Sequence, residues 1–278
     1  MLSKDEFEDI KFTIKQYTSF DFTDYAEGSL LRRINRLMIN QNLSFEQLKQ
    51  SITTSKSFAD NMMEEITVNT TELFRDPEVW LFLRTNTFTI LRKRKTINIW
   101  ISGCSTGQEA YSMAILLHVL GLEDKVRIFA SDINTKVLNI AKKGEYRYRN
   151  NLDYISNFNK VIRNNPLNYD EDTNIDYKKY FKIDKSRDTI TMHDFLKKKI
   201  IFFQNDLVKK PYLDFANLDL ISCRNVLIYH NQKLQSRIIE SFYNNLHPDS
   251  YLLLGVHESI LGPNLSKFKK RGKLFLKQ

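Results

Sequence analysis

Short β-branched runs alternate with helical segments along the chain from residue 97 onwards, and few folds accommodate this alternation. The strand-like runs are TINIWIS at 96–102, VRIFASD at 126–132, LDLISC at 218–223 and YLLLGV at 251–256, and helical patterns occupy 107–120, 134–143 and 231–246. The alternation predicts an α/β fold with a doubly wound, mostly parallel sheet and helices on both faces. In sheets of this kind, ligands bind at the carboxyl ends of the strands.

The rest of the chain suggests two additions to that sheet. Residues 1–66 show helical spacing without β-type alternation, which predicts a small all-α domain, and Ser44 followed by Gln47 in SFEQLKQSI is a capping-box pattern. Residues 145–205 contain several short strand-like runs, which we interpret as an inserted β-subdomain. The predicted division is a helical domain at 1–66, a linking segment at 67–95 and a main domain at 96–278.

Composition narrows the class of protein. The chain has 278 residues, 42% of them hydrophobic, and only two cysteines, which favours a reducing compartment over a disulfide scaffold. No apolar run approaches the ~20 residues of a membrane span, and the polar N-terminus does not resemble a signal peptide. We therefore expect a cytoplasmic protein without membrane insertion. The five histidines lack metal-ligand spacing with the cysteines, so we expect no metal.

The net charge of +9 leaves the partner open. It suits nucleic acid, an anionic membrane surface or an acidic protein, and it equally suits a solvated lysine-rich surface. The helical pattern SLLRRINRLMI carries Arg32, Arg33 and Arg36 opposite its apolar positions. These arginines either attract an acidic partner or form a solvated face paired with the acidic segment 1–27.

The stretch GCSTGQEAYS, which follows the first predicted strand, resembles a phosphate-binding loop but lacks its chemistry. A phosphate loop ends in Gly-Lys-Ser or Gly-Lys-Thr, whereas here Gly107 precedes Gln108 and Glu109. A carboxylate in the first helical turn repels phosphate and favours a cationic ligand. Asp132 ends the second predicted strand, where an acid often binds ribose hydroxyls. Together these features suggest S-adenosylmethionine. Alternatively, the glycines only form a turn and Asp132 caps the next helix.

Five segments in order then resemble the motifs of the chemotaxis receptor methyltransferase (CheR-type) family. They are VNTTELFRDP, SGCSTGQEAYSMAI, ASDINTKVLNIAKKGEY, CRNVLIYHN and YLLLGVHESI, within residues 68–260, and LLRRINRLM is similar to the basic helix of the family's N-terminal domain. The resemblance implies a class I S-adenosylmethionine methyltransferase, Rossmann-like in fold, with an N-terminal all-α domain. It also implies methyl transfer to glutamate side chains of chemoreceptor signalling helices, with S-adenosylhomocysteine as the product.

The resemblance also implies roles for individual residues. The cofactor-binding positions that match the family are Asn69, Thr71, Arg75, Gly103, Glu109, Asp132, Asp206, Leu207, Asn225 and Val226. Arg75 and Tyr229 match positions that act on the substrate carboxylate, and Arg32, Arg33 and Arg36 match the basic helix that would steer acidic receptor helices. Other interpretations are an interdomain salt bridge for Arg75 and a core position for Tyr229.

The chain departs from the family pattern at several places. Gln108 stands where glutamate is usual, His230 where phenylalanine is common, and Ser250 where a turn glycine is usual, while the segment 145–205 is longer than expected. In some family members that β-subdomain binds a receptor tail, and the divergence here leaves tail binding open.

Alternatives to receptor methylation remain at this point. A nucleic-acid methyltransferase should carry an aromatic-proline motif after a mid-sheet strand, and CRNVLIY is not that motif, so we expect no nucleic-acid partner. A diverged methyltransferase or a cofactor-binding module acting on another protein partner is the remaining alternative. For the oligomeric state we expect a monomer.

Overall fold

The computed structural model describes residues 1–18, 20–66, 71–164, 173–214 and 217–278, and the chain divides into two compact units. One unit comprises Met1–Val68 with Val226–Ile238, and the other comprises Asn69–Asn225 with Ile239–Gln278. The first unit therefore includes a segment that the sequence-based division assigns to the main domain. Within the described residues, no helix combines the length and apolar character needed to cross a membrane.

The first unit is helical. Its helices are α1 (Lys4–Tyr17), α2 (Glu27–Gln41), α3 (Phe45–Thr54) and α4 (Lys56–Ile66), with a 3₁₀ turn at Leu227–Tyr229. The predicted capping box is present at α3, where the Ser44 hydroxyl accepts a hydrogen bond from the amide of Gln47 and the Gln47 side chain accepts one from the amide of Ser44. Apolar residues of all four helices form one core.

The second unit contains the predicted sheet. Its helices are α5 (Pro77–Phe82), α6 (Phe88–Leu91), α7 (Gln108–Val119), α8 (Thr135–Lys143), α9 (Asp153–Phe158) and α10 (Asp194–Lys197), and α11 (Gln232–Asn245) begins in the first unit. Its strands are β1 (Ile97–Ser102), β2 (Val126–Asp132), β3 (Glu145–Arg147), β4 (Phe181–Asp184), β5 (Thr189–Met192), β6 (Ile200–Gln204), β7 (Leu218–Cys223), β8 (Leu246–Leu254), β9 (Phe268–Arg271) and β10 (Leu274–Lys277). Turns of π-helix lie at Leu83–Thr87 and Asn159–Arg163, and 3₁₀ turns at Tyr148–Asn150, Tyr177–Lys179 and Gly262–Lys267.

Seven strands form the main sheet in the order β6-β2-β1-β7-β8-β10-β9. The first five run parallel, and β10 pairs antiparallel with both β8 and β9. The prediction of a doubly wound, mostly parallel α/β sheet is confirmed. The chain passes to one side of β1 for β2 and to the other side for β7, so a crevice opens at their carboxyl ends, where ligands bind in such sheets.

The central elements of this sheet are buried on both faces. All of β7 is buried, as are all of β1 except Asn98, and α7 buries nine of its twelve residues. A helix that is buried on most sides is held in position, because close-packed neighbours surround it. The crevice is therefore built on rigid elements.

The predicted inserted β-subdomain differs from the structure at its end. The inserted sheet has three antiparallel strands in the order β3-β5-β4, together with α9 and α10. The run KKIIFFQND, predicted to belong to the insertion, contains β6, and β6 pairs parallel with β2 in the main sheet. The sequence of a short apolar run does not indicate which sheet the strand joins, because strand pairing depends on distant segments of the chain.

Ser250, which replaces the usual turn glycine, does not adopt a left-handed conformation. The neighbouring Asp249 has the positive φ instead, at 55°. The Ser250 hydroxyl is fully buried and accepts a hydrogen bond from Arg94 over 3.1 Å, and Arg94 also pairs with the buried carboxylate of Asp219. The Ser250 hydroxyl thus makes a buried polar contact that glycine lacks.

Candidate active site at the carboxyl ends of the central strands

The glycine turn after β1 lies at the carboxyl edge of the sheet. The amide of Gly103, with φ 74°, donates to the carbonyl of Ser131 over 2.8 Å, which ties the turn to β2. Gly107 has φ 93°, and a Cβ there would lie 2.8 Å from the Cβ of Ala141 in α8. A side chain at Gly107 would therefore meet both a disfavoured conformation and a steric clash, so the sequence requires glycine at this point.

Asp132, at the end of β2, faces this turn. One carboxylate oxygen accepts a hydrogen bond from the amide of Ser105 over 2.8 Å, and the other accepts one from the amide of Asn134 over 3.0 Å. Burial raises the pKa of Asp132, and these amides oppose the rise. The interpretation of Asp132 as the cap of the next helix is wrong, because Asn134 is the N-cap of α8 and accepts from the amide of Lys136.

Glu109 lies in the first turn of α7, as predicted. Its carboxylate accepts a hydrogen bond from the hydroxyl of Ser222 in β7, and its other oxygen lies 3.5 Å from Nη1 of Arg224. The neighbouring Gln108 is 4% exposed and accepts a hydrogen bond from the hydroxyl of Thr106 over 2.7 Å. The neutral side chain of Gln108 thus makes a hydrogen bond within the glycine turn. Glu109 provides the carboxylate in the first turn of α7.

Arg75 occupies an unusual stretch of backbone. Its neighbours Phe74 and Asp76 both have positive φ, 52° and 56°, although neither is glycine. Each such residue costs about 1–2 kcal/mol, so surrounding contacts must hold the segment in place. The amide of Phe74 donates to the hydroxyl of Ser112 over 2.8 Å, and the indole of Trp80 donates to the carbonyl of Arg75 over 2.9 Å.

Arg224, in the motif CRNVLIYHN directly after β7, completes these contacts. Its guanidinium donates to the carbonyl of Arg75 over 2.9 Å and to the carboxylate of Asp76 over 2.7 Å, and it lies over the ring of Trp80 at 5.9 Å. The side chain is 1% exposed. An arginine directly after a buried strand is the signal that points to it, since a buried guanidinium requires partners.

Asn225, also predicted to bind the cofactor, has φ 58°. Its amide donates to the carboxylate of Glu258 over 2.7 Å, and the same oxygen accepts from the amide of Gly255 over 2.7 Å. A Cβ at Gly255 would lie 2.9 Å from the amide nitrogen of Asn225, so the loop after β8 approaches the loop after β7 very closely. Glu258 thus joins the carboxyl ends of β7 and β8.

Asp206 and Leu207 follow β6 at the same edge. The amide of Asn205 donates to the carbonyl of Asp132 over 3.0 Å, which places the loop after β6 beside the end of β2. The carboxylate of Asp206 accepts from the amide of Val208 over 2.9 Å, and Leu207 is buried. These contacts support the predicted position of the Asp206-Leu207 pair at the crevice.

The contacts described above do not include the remaining residues predicted to bind cofactor or substrate. Asn69 lies outside the described residues, and Thr71 is partly buried four positions before Arg75. Val226 and Tyr229 belong to the helical unit, whereas Asn225 belongs to the unit with the sheet. The roles of these residues stay predictions.

The three arginines of α2 differ in their environment. Arg33 is partly buried, donates to the carbonyl of Ile66 over 2.6 Å and lies over the ring of Tyr229 at 4.7 Å. Arg32 and Arg36 are exposed and pair with no acid among the residues that the structure describes. The acidic segment 1–27 instead pairs with lysines, as in Lys49–Asp9 and Lys15–Asp21. Arg33 therefore has a packing role that its two neighbours lack.

The donor set of the crevice fits S-adenosylmethionine. Carboxylates at Glu109 and Asp132 suit an ammonium group and ribose hydroxyls, and the buried hydroxyl of Ser102 at the end of β1 has no partner among the described residues. Burial, with Asp132 and Glu109 nearby, raises the pKa of the Cys104 thiol well above its ordinary value, so this thiol stays protonated and is no nucleophile.

A doubly wound sheet that ends in an antiparallel pair, with acids after β1 and at the end of β2, defines the class I methyltransferase fold. The sequence profile described as "CheR methyltransferase, SAM binding domain" matches residues 69–165 and 167–273, and the one described as "CheR methyltransferase, all-alpha domain" matches residues 5–67. The chain belongs to the CheR methyltransferase family and is an S-adenosylmethionine-dependent methyltransferase.

Curated relatives agree with this assignment. A protein named Cher3 of Pseudomonas putida is 33% identical over 87% of this chain and 84% of its own length. A chemotaxis protein methyltransferase of Borreliella burgdorferi is 31% identical over 72% of this chain and 68% of its own. A chemotaxis protein methyltransferase of Listeria innocua is 26% identical over 90% of this chain and 88% of its own. The similarity thus extends over most of the chain.

Proposed function

We propose that this chain methylates glutamate side chains of chemoreceptor signalling helices in the cytoplasm, as part of chemotaxis adaptation. The observation that carries the proposal is Arg75, whose backbone is held by the same Arg224 guanidinium that contacts Glu109. An arginine suits a carboxylate substrate, because its planar fork donates two parallel hydrogen bonds.

The chemistry asks little of the chain beyond positioning. A glutamate carboxylate has an ordinary pKa of about 4.3, so it is ionised near neutral pH and no general base is needed. Arg75 orients the carboxylate, and Tyr229 provides a second donor to it. Arg75 must orient the substrate carboxylate without fully neutralising its negative charge, since a carboxylate in a very strong ion pair is a poorer nucleophile. Positioning of this kind accounts for a large share of a two-substrate rate enhancement.

The crevice residues hold the cofactor in this proposal. Glu109 binds its ammonium group, Asp132 binds its ribose hydroxyls, and the Asp206-Leu207 pair flanks the adenine. The pocket is completed by Asn69, Thr71, Asn225 and Val226. Bound S-adenosylmethionine would supply an electrophilic methyl group on its sulfonium, which suits an ionised carboxylate as acceptor. The turn at Gly103 supplies backbone close to the ligand.

The exposed arginines of α2 attract the substrate in this proposal. Receptor methylation helices are acidic, and Arg32 and Arg36 present positive charge with no acid paired to it among the described residues. Such complementarity raises the association rate more than the affinity, and it weakens as salt increases. Arg33 contributes less, because its guanidinium already contacts Ile66 and Tyr229.

The test is methyl transfer to a receptor. The purified chain is incubated with methyl-labelled S-adenosylmethionine and a receptor cytoplasmic fragment, and base-labile label is expected on the fragment. The matched substrate control is the same fragment with its acceptor glutamates replaced by glutamine, which removes the nucleophile and keeps the helix. Label that is stable to base, or that appears equally on the glutamine fragment, would favour a diverged methyltransferase acting on another partner.

A further inference from the structure

We infer that Arg224 and Asp76 form a positioning pair that fixes the direction of Arg75, and so controls methyl transfer without touching the substrate. The inference rests on the proposed function, because it assigns Arg75 to the substrate carboxylate. Neither Arg224 nor Asp76 is among the residues predicted from the sequence to bind cofactor or substrate.

The pair holds Arg75 from both sides of one peptide group. Nη2 of Arg224 donates to the carbonyl of Arg75 over 2.9 Å and to the carboxylate of Asp76 over 2.7 Å. The carbonyl of Arg75 accepts a further hydrogen bond from the indole of Trp80. The peptide between Arg75 and Asp76 therefore cannot rotate without breaking contacts to a buried guanidinium, which are costly to lose.

The backbone around Arg75 needs this restraint. Phe74 and Asp76 both have positive φ, which is unfavourable for residues other than glycine, so the segment would relax toward ordinary backbone angles without restraint. A strained segment persists only when its surroundings over-determine it. The amide of Phe74 bonds to Ser112 in α7, and the carbonyl of Leu73 accepts from the side-chain amide of Asn157 over 3.2 Å. The contacts to Arg224 are the charged members of this set.

The same guanidinium links Arg75 to the cofactor pocket. Nη1 of Arg224 lies 3.5 Å from the carboxylate of Glu109, whose other oxygen accepts from Ser222. Arg224 thus has one contact toward the predicted cofactor residue and two toward the Arg75 segment. Replacing Asp76 disturbs only the second group of contacts, so it separates positioning of Arg75 from cofactor binding.

The test compares Asp76→Asn with a matched control. Asp76→Asn should lower kcat for receptor methylation about tenfold and change the affinity for S-adenosylhomocysteine less than about twofold. The control is Asp219→Asn, which breaks another arginine–aspartate pair of this unit, that of Arg94, outside the described contacts of Arg75. It should lower Tm, but it should leave kcat unchanged at temperatures below the melting range.

A double-mutant cycle then asks whether Asp76 acts through Arg75. In an Arg75→Ala background, Asp76→Asn should lower residual kcat less than about twofold, because the group being positioned is gone. The same tenfold loss in both backgrounds would overturn the inference, since it would mean that Asp76 acts on stability or on another group.

Hydrogen exchange gives a readout that needs no turnover. Asp76→Asn should speed exchange of the Phe74 amide about tenfold, whereas Asp219→Asn should leave it unchanged. Unchanged Phe74 exchange in Asp76→Asn would overturn the positioning role. If the wild-type chain esterifies no receptor glutamate, the proposed function fails, and the exchange measurement still decides whether the pair fixes this segment.

Discussion

The hydroxyl of Ser112 accepts a hydrogen bond from the amide of Phe74 over 2.8 Å, and both residues are fully buried. The same hydroxyl donates to the carbonyl of Gln108 over 2.8 Å. Helix α7, which carries Glu109, is thereby joined to the residue that precedes Arg75. The predicted cofactor-binding carboxylate and the predicted substrate-orienting arginine are therefore parts of one hydrogen-bonded framework.

Replacing Ser112 with alanine should damage both stability and turnover. The buried amide of Phe74 would lose its only described acceptor, and an unsatisfied buried donor costs about 1–3 kcal/mol. Urea unfolding measures the loss in the free energy of unfolding, and kcat should fall because the Arg75 segment loosens. A Ser112→Ala chain with wild-type kcat would show that this contact is not needed to place Arg75.

Asp132 should be a main determinant of cofactor affinity. Asp132→Asn keeps the shape and one acceptor but removes the charge, so S-adenosylhomocysteine should bind about 10–100-fold more weakly, as measured by calorimetry. Asp184→Asn is the matched control, because Asp184 accepts comparable local hydrogen bonds from Ser186 and Arg187 within the inserted hairpin. Equal affinities for the two variants would contradict the assignment of Asp132.

Gly107 and Gly121 separate two costs of adding a side chain. Both have positive φ, but a Cβ at Gly121 meets open space, whereas a Cβ at Gly107 lies 2.8 Å from the Cβ of Ala141. Gly107→Ala should therefore destabilise the chain by about 1–3 kcal/mol more than Gly121→Ala in urea unfolding. If the two substitutions cost the same, the close approach of α8 to the glycine turn would be refuted.

His230 should make stability depend on pH. Burial lowers the pKa of His230 from 6.5 to about 4, with nearby Asp24 opposing the shift. Because the folded pKa lies below the unfolded one, the unfolded chain binds more protons between these values, and stability falls as pH falls from 6.5 toward 4.

The common family residue provides the control for His230. Between pH 7 and pH 4.5 the wild-type chain should lose about 2 kcal/mol more than His230→Phe in the free energy of unfolding. The comparison removes the carboxylates that also titrate in this range, since both chains share them. Parallel pH profiles for the two chains would show that His230 is not held neutral.

The sequence predicted those features that depend on local pattern. The alternation of strands and helices predicted β1, β2, β7 and the helices between them, and the glycine turn with Glu109 and Asp132 predicted the carboxyl edge at which the crevice residues lie. These features are short-range, because residue spacing determines secondary structure and strand ends determine which loops meet.

The remaining features depend on contacts between distant segments. The local sequence KKIIFFQND does not show that β6 pairs with β2. The local sequence of Val226–Ile238 likewise does not show that this segment groups with the helical unit. Arg224 and Glu258 were visible as motif residues, but their partners at Asp76 and Asn225 are far away in sequence. The partners of a buried charge are close in space but distant in sequence, so the local sequence pattern does not identify them.

The most direct measurement of the central claim is the location of the transferred methyl group. Tandem mass spectrometry of a receptor fragment, after incubation with the chain and S-adenosylmethionine, should find methyl esters on glutamate side chains. Arg75→Lys should give the same sites about a hundredfold more slowly, because lysine lacks the planar fork. Methyl groups on lysine, arginine or no residue of the fragment would contradict the account.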